Sequence, residues 1–265
     1  MSKNPFDQAV SLACEALAGL RDHPAGPLPR ASRASLERLV TAKAAPATAA
    51  SLETPAASGS KAERLEALRA EMGNCSKCPH LVKNRSNIVF GVGNPQARLM
   101  FVGEAPGADE DLLGEPFVGK AGQLLTKIIE AMGFSRNDVY IANVLKCRPD
   151  MPPGETGNRK PRPDEMSTCL PYLIRQIEII EPQCLVGLGA TAMEGLLGEP
   201  VVMRDVRGRW HSFQGIPLMS TYHPAYLLRN QSLAEKRKVW EDMLLVLERL
   251  GEPISARQRG YFLHK

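Results

Sequence analysis

The chain has 265 residues, 43% of them hydrophobic and 23% charged, with a formal net charge of +4. That length suffices for one well-buried domain with appendages or for two small domains, and the composition is that of an ordinary globular protein rather than a disordered or fibrous one. A charge of +4 permits nucleic-acid binding without arguing for it, so any such contact must come from local basic clusters.

From the N-terminus, residues 5–20 read as a short amphipathic helix capped by Asn4, with Pro5 in its first turn and Phe6, Val10, Ala13, Cys14 and Leu17 at helical spacing. The segment carries Asp7 and Glu15, so it is no secretory signal, and no run in the chain is apolar and long enough to cross a bilayer. An intracellular, cytoplasmic location follows as the expectation. Residues 23–60 are rich in Ala, Pro and Ser and read as a flexible linker. The folded domain is expected over 61–251, after a short N-terminal unit (1–22) and before a C-terminal tail (252–265).

Within 61–251, KAERLEALRAEMGN predicts a helix with Leu65, Leu68 and Met72 on one face. Four apolar runs then read as buried strands: 98–103, 139–144, 184–189 and 217–222. Helical stripes lie between and after them: Leu124, Leu125, Ile128, Ile129 and Met132; Leu173, Ile174, Ile177 and Ile180; ATAMEGLLG; and Trp240, Met243, Leu244 and Leu247. Pro171 is expected to kink the second of these helices or to mark its start. Strands alternating with helices predict a three-layer α/β/α sandwich on a mainly parallel, four-stranded central sheet. In such sheets ligands bind beyond the carboxyl ends of the strands, which directs attention to the loops after Gly103, around Asn143 and at His223.

There are six cysteines, Cys14, Cys75, Cys78, Cys147, Cys169 and Cys184. In a reducing compartment their uneven spacing fits a metal site better than disulfides. Cys75 and Cys78 form a C-x-x-C pair just after a helix, and four thiolates can hold zinc or an iron–sulfur cluster. The alternative is that Cys147 and Cys169 are small buried hydrophobes, and spacing alone does not assign them. Cys14 and Cys184 read as structural.

The loop 103–111 leaves a strand and is dense in carboxylates, so it is a poor phosphate cradle; it is either a solvated acidic turn or a site where glycines admit a ligand close to the backbone. Asn143, inside an apolar strand, must find hydrogen-bond partners; it is either a satisfied core residue or a reader of a pyrimidine edge. His223 ends a strand beside Pro224 and among aromatic, apolar and basic residues, a better catalytic candidate than an average histidine. Basic residues gather at Lys146, Arg148, Arg159, Lys160 and Arg162, and again at Arg204, Arg207 and Arg209; they form either a solvated positive surface or a set of DNA phosphate contacts.

Together, CSKCPHLV, GEAPGADEDLLGEPFVGKAGQLL, VYIANVLKCRP, VGLGATA, VRGRW and YHPAYLLRN resemble the family 4 uracil-DNA glycosylases, from about Ala70 to Leu250. The resemblance implies hydrolytic excision of flipped uracil from DNA in base excision repair. It implies a structural 4Fe-4S cluster on Cys75, Cys78, Cys147 and Cys169, across a loop between the last two ligands that is longer than usual. It implies a uracil site made by Phe117 stacking on the base, Asn143 on its edge, His223 donating to the departing uracil oxygen, and the backbone of Gly103, Glu104 and Ala105. Glu104 becomes the candidate for positioning water or stabilising the sugar cation, with Glu110 as a helper. Arg148, Arg159, Lys160, Arg162, Arg207, Arg209 and Arg229 would meet phosphates, while Tyr226, Leu227 and Leu228 would wedge into the stack. The expected partner is uracil-containing DNA, met near the nucleoid by a monomer with no membrane contact, and the N-terminal arm is free to bind another protein. Three competing readings remain: a covalent uracil trap, disfavoured because NRKPRPDE contains no histidine; a non-catalytic, replication-associated DNA-binding module; and a zinc-binding structural protein.

Overall fold

The computed structural model describes residues 59–263 except 153 and 156; the helix expected over 5–20, Cys14 and nearly all of the expected linker lie outside the described residues. Helix α1 (Lys61–Gly73) starts at a reciprocal cap: the Ser60 hydroxyl accepts from Glu63 N at 3.3 Å, and the Glu63 carboxylate accepts from Ser60 N at 2.7 Å. It buries the expected face, Leu65, Leu68 and Met72. In chain order follow α2 (Pro79–Asn84), β1 (Val92–Gly93), β2 (Leu99–Gly103), α3 (Ala108–Leu113), α4 (Lys120–Met132) and β3 (Tyr140–Asn143). Next come α5 (Pro163–Ile180), β4 (Cys184–Leu188), α6 (Ala190–Leu197), α7 (Met203–Val206), β5 (Trp210–Phe213) and β6 (Ile216–Thr221). The short α8 (Pro224–Arg229), the long α9 (Leu233–Leu250) and α10 (Ala256–Arg259) complete the set.

The sheet has six strands in the order β1-β3-β2-β4-β6-β5, not the four expected. The four apolar runs form its parallel centre, β3-β2-β4-β6, and an antiparallel strand is added at each edge. Both additions lack an apolar signature. β1 is only Val92–Gly93, and β5 is largely exposed. β5 and β6 are joined across Gln214 and Gly215, both at positive φ (50° and 83°). That is the geometry of a two-residue hairpin turn, but glutamine is a weak signal for it.

Side chains of the central strands alternate between two cores. Leu99 and Phe101 pack with Leu125 and Ile129 of α4 and with Trp240, Met243 and Leu247 of α9. Met100 and Val102 pack on the opposite face with Leu65 and Leu68 of α1 and Leu173 and Ile177 of α5. Helices therefore cover both faces, as buried parallel strands require.

Pro171 neither starts nor ends a helix. It lies inside α5, which begins at Pro163. Its missing N–H leaves the carbonyl of Ser167, four residues back, on an exposed residue where water can satisfy it. The residues after Gly251, expected as a tail, are docked on the fold: Trp240 Nε1 donates to Gln258 O at 2.6 Å, and Gln258 Nε2 donates to Ala131 O at 3.0 Å. Among the described residues, no helix is long and apolar enough to cross a membrane.

Candidate active site

Strand register brings the first two loops together. Gly103 ends β2 opposite Asn143 at the end of β3. A Cβ at position 103 would lie 2.4 Å from Asn143 Oδ1 and 2.5 Å from Phe117 Cζ, so only glycine lets the amide and the ring converge there. Asn143 is 2% exposed, and its Oδ1 is buried without a hydrogen-bond partner. Leaving a buried acceptor unmatched costs roughly 1–3 kcal/mol, which folding alone would not retain.

The third loop supplies His223, which caps α8 two residues beyond β6. Its ring centroid is 5.6 Å from that of Phe117, at 30° between the planes. Ala225 N donates to His223 Nδ1 at 3.1 Å, so Nδ1 is the acceptor and the proton of a neutral ring belongs on Nε2. Burial, and then the Arg229 charge, pull the His223 pKa down to about 4, with Glu110 partly opposing. The site thus holds a neutral imidazole that donates from Nε2.

The Glu104 carboxyl lies near Thr191 at the start of α6, in the fields of Lys160 and Glu194. Burial raises its pKa, Thr191 and Lys160 pull it back, and Glu194 adds to the rise. Among the described residues no hydrogen bond joins Glu104 to Asn143 or His223.

The cysteine set also converges. Cys147 and Cys169 are buried in the α1/α5 core, with Cys75 and Cys78 packed against them. Burial pushes the thiols of Cys78, Cys147 and Cys169 up, Cys169 to about 12, and in each case neighbouring thiols add to the rise. Opposing this, Arg85 Nη1 donates to Cys147 Sγ at 3.2 Å, and Lys146 N donates to Cys169 Sγ at 3.3 Å. Arg85 escaped the sequence reading because it stands 62 residues from Cys147. Cys184 is buried in β4, apart from this set.

A model of the uracil DNA glycosylase superfamily matches residues 90–244. The chain is 45% identical over 186 residues to the type-4 uracil-DNA glycosylase of Thermotoga maritima, covering 68% of this chain and 92% of that one. The chain belongs to this family. A second type-4 uracil-DNA glycosylase, from Archaeoglobus fulgidus, is 42% identical over 182 residues, 66% of this chain and 88% of its own. Similarity to the type-5 uracil-DNA glycosylase of Thermus thermophilus is lower, 25% over 222 residues.

Outside the pocket, the basic residues divide into two groups. Arg159 is engaged by Asp150 and by the buried Glu165, and Arg162 by Asp164 and Glu165. His80 joins the same carboxylate at 2.7 Å. His80, Asp150 and Glu165 are the one group of three or more ligand-type side chains converging within 4.8 Å among the described residues, but the two arginines already neutralise it. Arg207 donates to the buried Asp242 at 2.7 Å, which Thr221 also contacts. Lys146 is fully buried, with Nζ donating to Gln176 Oε1 at 2.6 Å, so it is not part of a basic surface. Lys160 pairs with Glu194 at the surface, Arg148 donates to Gly157 O, and Arg209 and Arg229 are exposed. In α8, Leu227 is buried and Leu228 is 39% exposed, while the Tyr226 hydroxyl donates to Glu235.

Proposed function

We propose that the chain is a DNA-repair enzyme that flips uracil out of DNA, hydrolyses the bond from uracil N1 to deoxyribose C1′, and leaves an abasic site for base excision repair. The observation that carries this reading is the buried, unpartnered Oδ1 of Asn143 beside the Phe117 ring, in a chain 45% identical to a type-4 uracil-DNA glycosylase.

The target bond is inaccessible in a duplex, so the nucleotide must leave the stack. Phe117 then lies against the ring face, and the backbone of Gly103, Glu104 and Ala105 adds contacts. Asn143 Oδ1 accepts from uracil N3–H while Nδ2 donates to O4. Cytosine presents an acceptor at N3 and an amino group at C4, so the same amide would face it with both groups mismatched. As the N1–C1′ bond breaks, its electron pair leaves with the base and spreads onto O2. A neutral His223 strengthens its Nε2–H bond to O2 as that charge grows, without giving up the proton. Water adds to C1′ and loses its proton to solvent, with Glu104 positioning it or balancing the cationic sugar. A strong base is not needed against a cation, so Glu104→Gln is expected to cost less than loss of His223 and Asn143 together.

On the DNA side, Leu228 rather than the buried Leu227 enters the vacated space, beside Tyr226. Arg229, Arg209, Lys160, Arg148 and Arg162 meet phosphates, while Arg159 and Arg207 shape the loops through their acidic partners.

The thiols fit a 4Fe-4S cluster. Cys75, Cys78, Cys147 and Cys169 are near enough for neighbouring thiols to act on one another, and four such thiolates are the donor set of a 4Fe-4S cluster. These four would hold it. When bound it supplies structure, tying the segment after α1 to the β3–α5 loop.

Single- and double-stranded oligonucleotides carrying one uracil provide the test. Alkali-labile cleavage at that position, absent with thymine, is the expected result. No abasic product from protein with its iron and sulfide intact would overturn the reading.

A further inference from the structure

Phe117 sits at φ 55°, in the left-handed region that bulky side chains avoid. Two charged side chains grip the backbone on either side of it. The Glu110 carboxylate takes three backbone N–H groups: Oε1 accepts from Val118 N at 3.0 Å and Gly119 N at 2.9 Å, and Oε2 accepts from Gly107 N at 3.1 Å. The Arg136 guanidinium donates through Nη2 to Pro116 O at 2.9 Å and through Nη1 to Phe117 O at 3.2 Å. Thr126 Oγ1 steadies the same Nη1 at 3.3 Å. From 116 to 119, carbonyls thus meet a cation and amides meet an anion, and such charge-assisted bonds are the stronger kind. The backbone is closely approached here: a Cβ at Gly119 would lie 2.6 Å from Asp109 Oδ2, and one at Gly122 would lie 1.9 Å from Phe117 O.

We propose that Glu110 and Arg136 are paired positioning residues, a two-sided clamp that holds the Phe117 ring in its stacking pose before the base arrives. The proposal rests on the reading that Phe117 stacks on the flipped base. It also draws Glu110 away from the water: three of the carboxylate's roughly four acceptor sites are taken by backbone amides. Without the clamp the strained residue relaxes to negative φ, and the ring must be carried back in every catalytic cycle.

A double-mutant cycle with Phe117 separates this role from a general structural one. Single-turnover uracil excision is measured with excess iron-loaded enzyme for Glu110→Ala, Arg136→Ala, Phe117→Ala and the two pairs with Phe117→Ala, each checked for an unchanged melting transition. Glu110→Ala and Arg136→Ala are each expected to slow excision between about tenfold and a hundredfold. In the Phe117→Ala background the same changes should add less than about twofold, because the ring they position is already gone. Full multiplicative losses in that background would overturn the clamp and return Glu110 to the water or the sugar. Wild-type rates for the single variants would overturn it as well. If an alanine variant does not fold, Glu110→Gln and Arg136→Lys carry the same cycle. Failure of the underlying stacking reading shows separately, as a wild-type rate for Phe117→Ala alone, and the clamp falls with it.

Discussion

Asn143 and Cys147 are four residues apart, yet the regions they belong to treat polar groups in opposite ways. Around the thiols most polar groups are matched, with Arg148 Nε an exception. Arg85 bridges Cys147 Sγ and Cys75 O, and the buried Glu165 is held by Arg159, Arg162 and His80. Asp111 accepts from Ser86 N and Asn87 N, tying α3 to the segment that follows α2. In the base pocket the reverse holds: Asn143 Oδ1 is buried and unmatched, Phe117 is strained, and burial depresses the basicity of His223. The contrast teaches where stability and chemistry are kept. Matched polar groups over-determine one corner of the fold, and that rigidity sustains unmatched groups that only a substrate can satisfy.

The sharpest break of this comparison is Asn143→Ala. Single-turnover excision should fall by roughly 10²–10³, with a melting temperature close to that of the parent, because the lost group had no partner to lose. A large drop in melting temperature would mean that Asn143 belongs to the structural corner after all. Gly103→Ala should follow at about 10², since its methyl must displace the amide or the ring; a crystal structure showing both unmoved would refute the account.

Cys147→Ala should show the opposite profile. Iron content and melting temperature fall, the latter by roughly 5–10 °C, while excision by the folded fraction at low temperature changes less than about tenfold. Elemental analysis with calorimetry checks the first part, and active-site titration the second.

His223 gives a pH signature of the unmatched pocket. Its folded pKa is about 4 and its unfolded value about 6.5, so the unfolded chain takes up the proton first as pH falls. The stability contributed by the neutral ring is complete above about pH 6.5 and is lost progressively toward pH 4. Melting temperature should therefore drop over that window less steeply in His223→Gln than in the parent. The smallest effect is expected of Leu228→Ala: about three- to tenfold on duplex DNA and none on single strands, where no stack has to be filled.

The order of the central strands and the long helices could be read from the chain because it depends on neighbours, whereas the short helices Ala108–Leu113 and Pro224–Arg229 lie where the sequence reads as loops. The four central strands are continuous apolar runs, α1 and α4 are amphipathic stripes, and the three chemistry-bearing loops follow from parallel strands ending at one edge. Asn143 and His223 stood out from their own surroundings in the sequence, but the full thiol set and Phe117 could be named only through family resemblance, since spacing alone left Cys147 and Cys169 open to another reading. Tertiary structure decided whatever depends on partners distant in sequence. It added edge strands whose sequences carry no apolar pattern, and it carried α5 through Pro171 because the affected carbonyl faces water. It turned Leu227 inward and Leu228 outward, and it bound Arg159 and Arg207 to buried acids. It also gave Glu110 to the backbone of the Phe117 loop and placed Arg136 opposite, 19 residues from the residue it holds. The reason is physical: burial and periodicity are local properties of a chain, whereas whether a charge meets a phosphate, a carboxylate or a peptide group depends on what the fold places beside it.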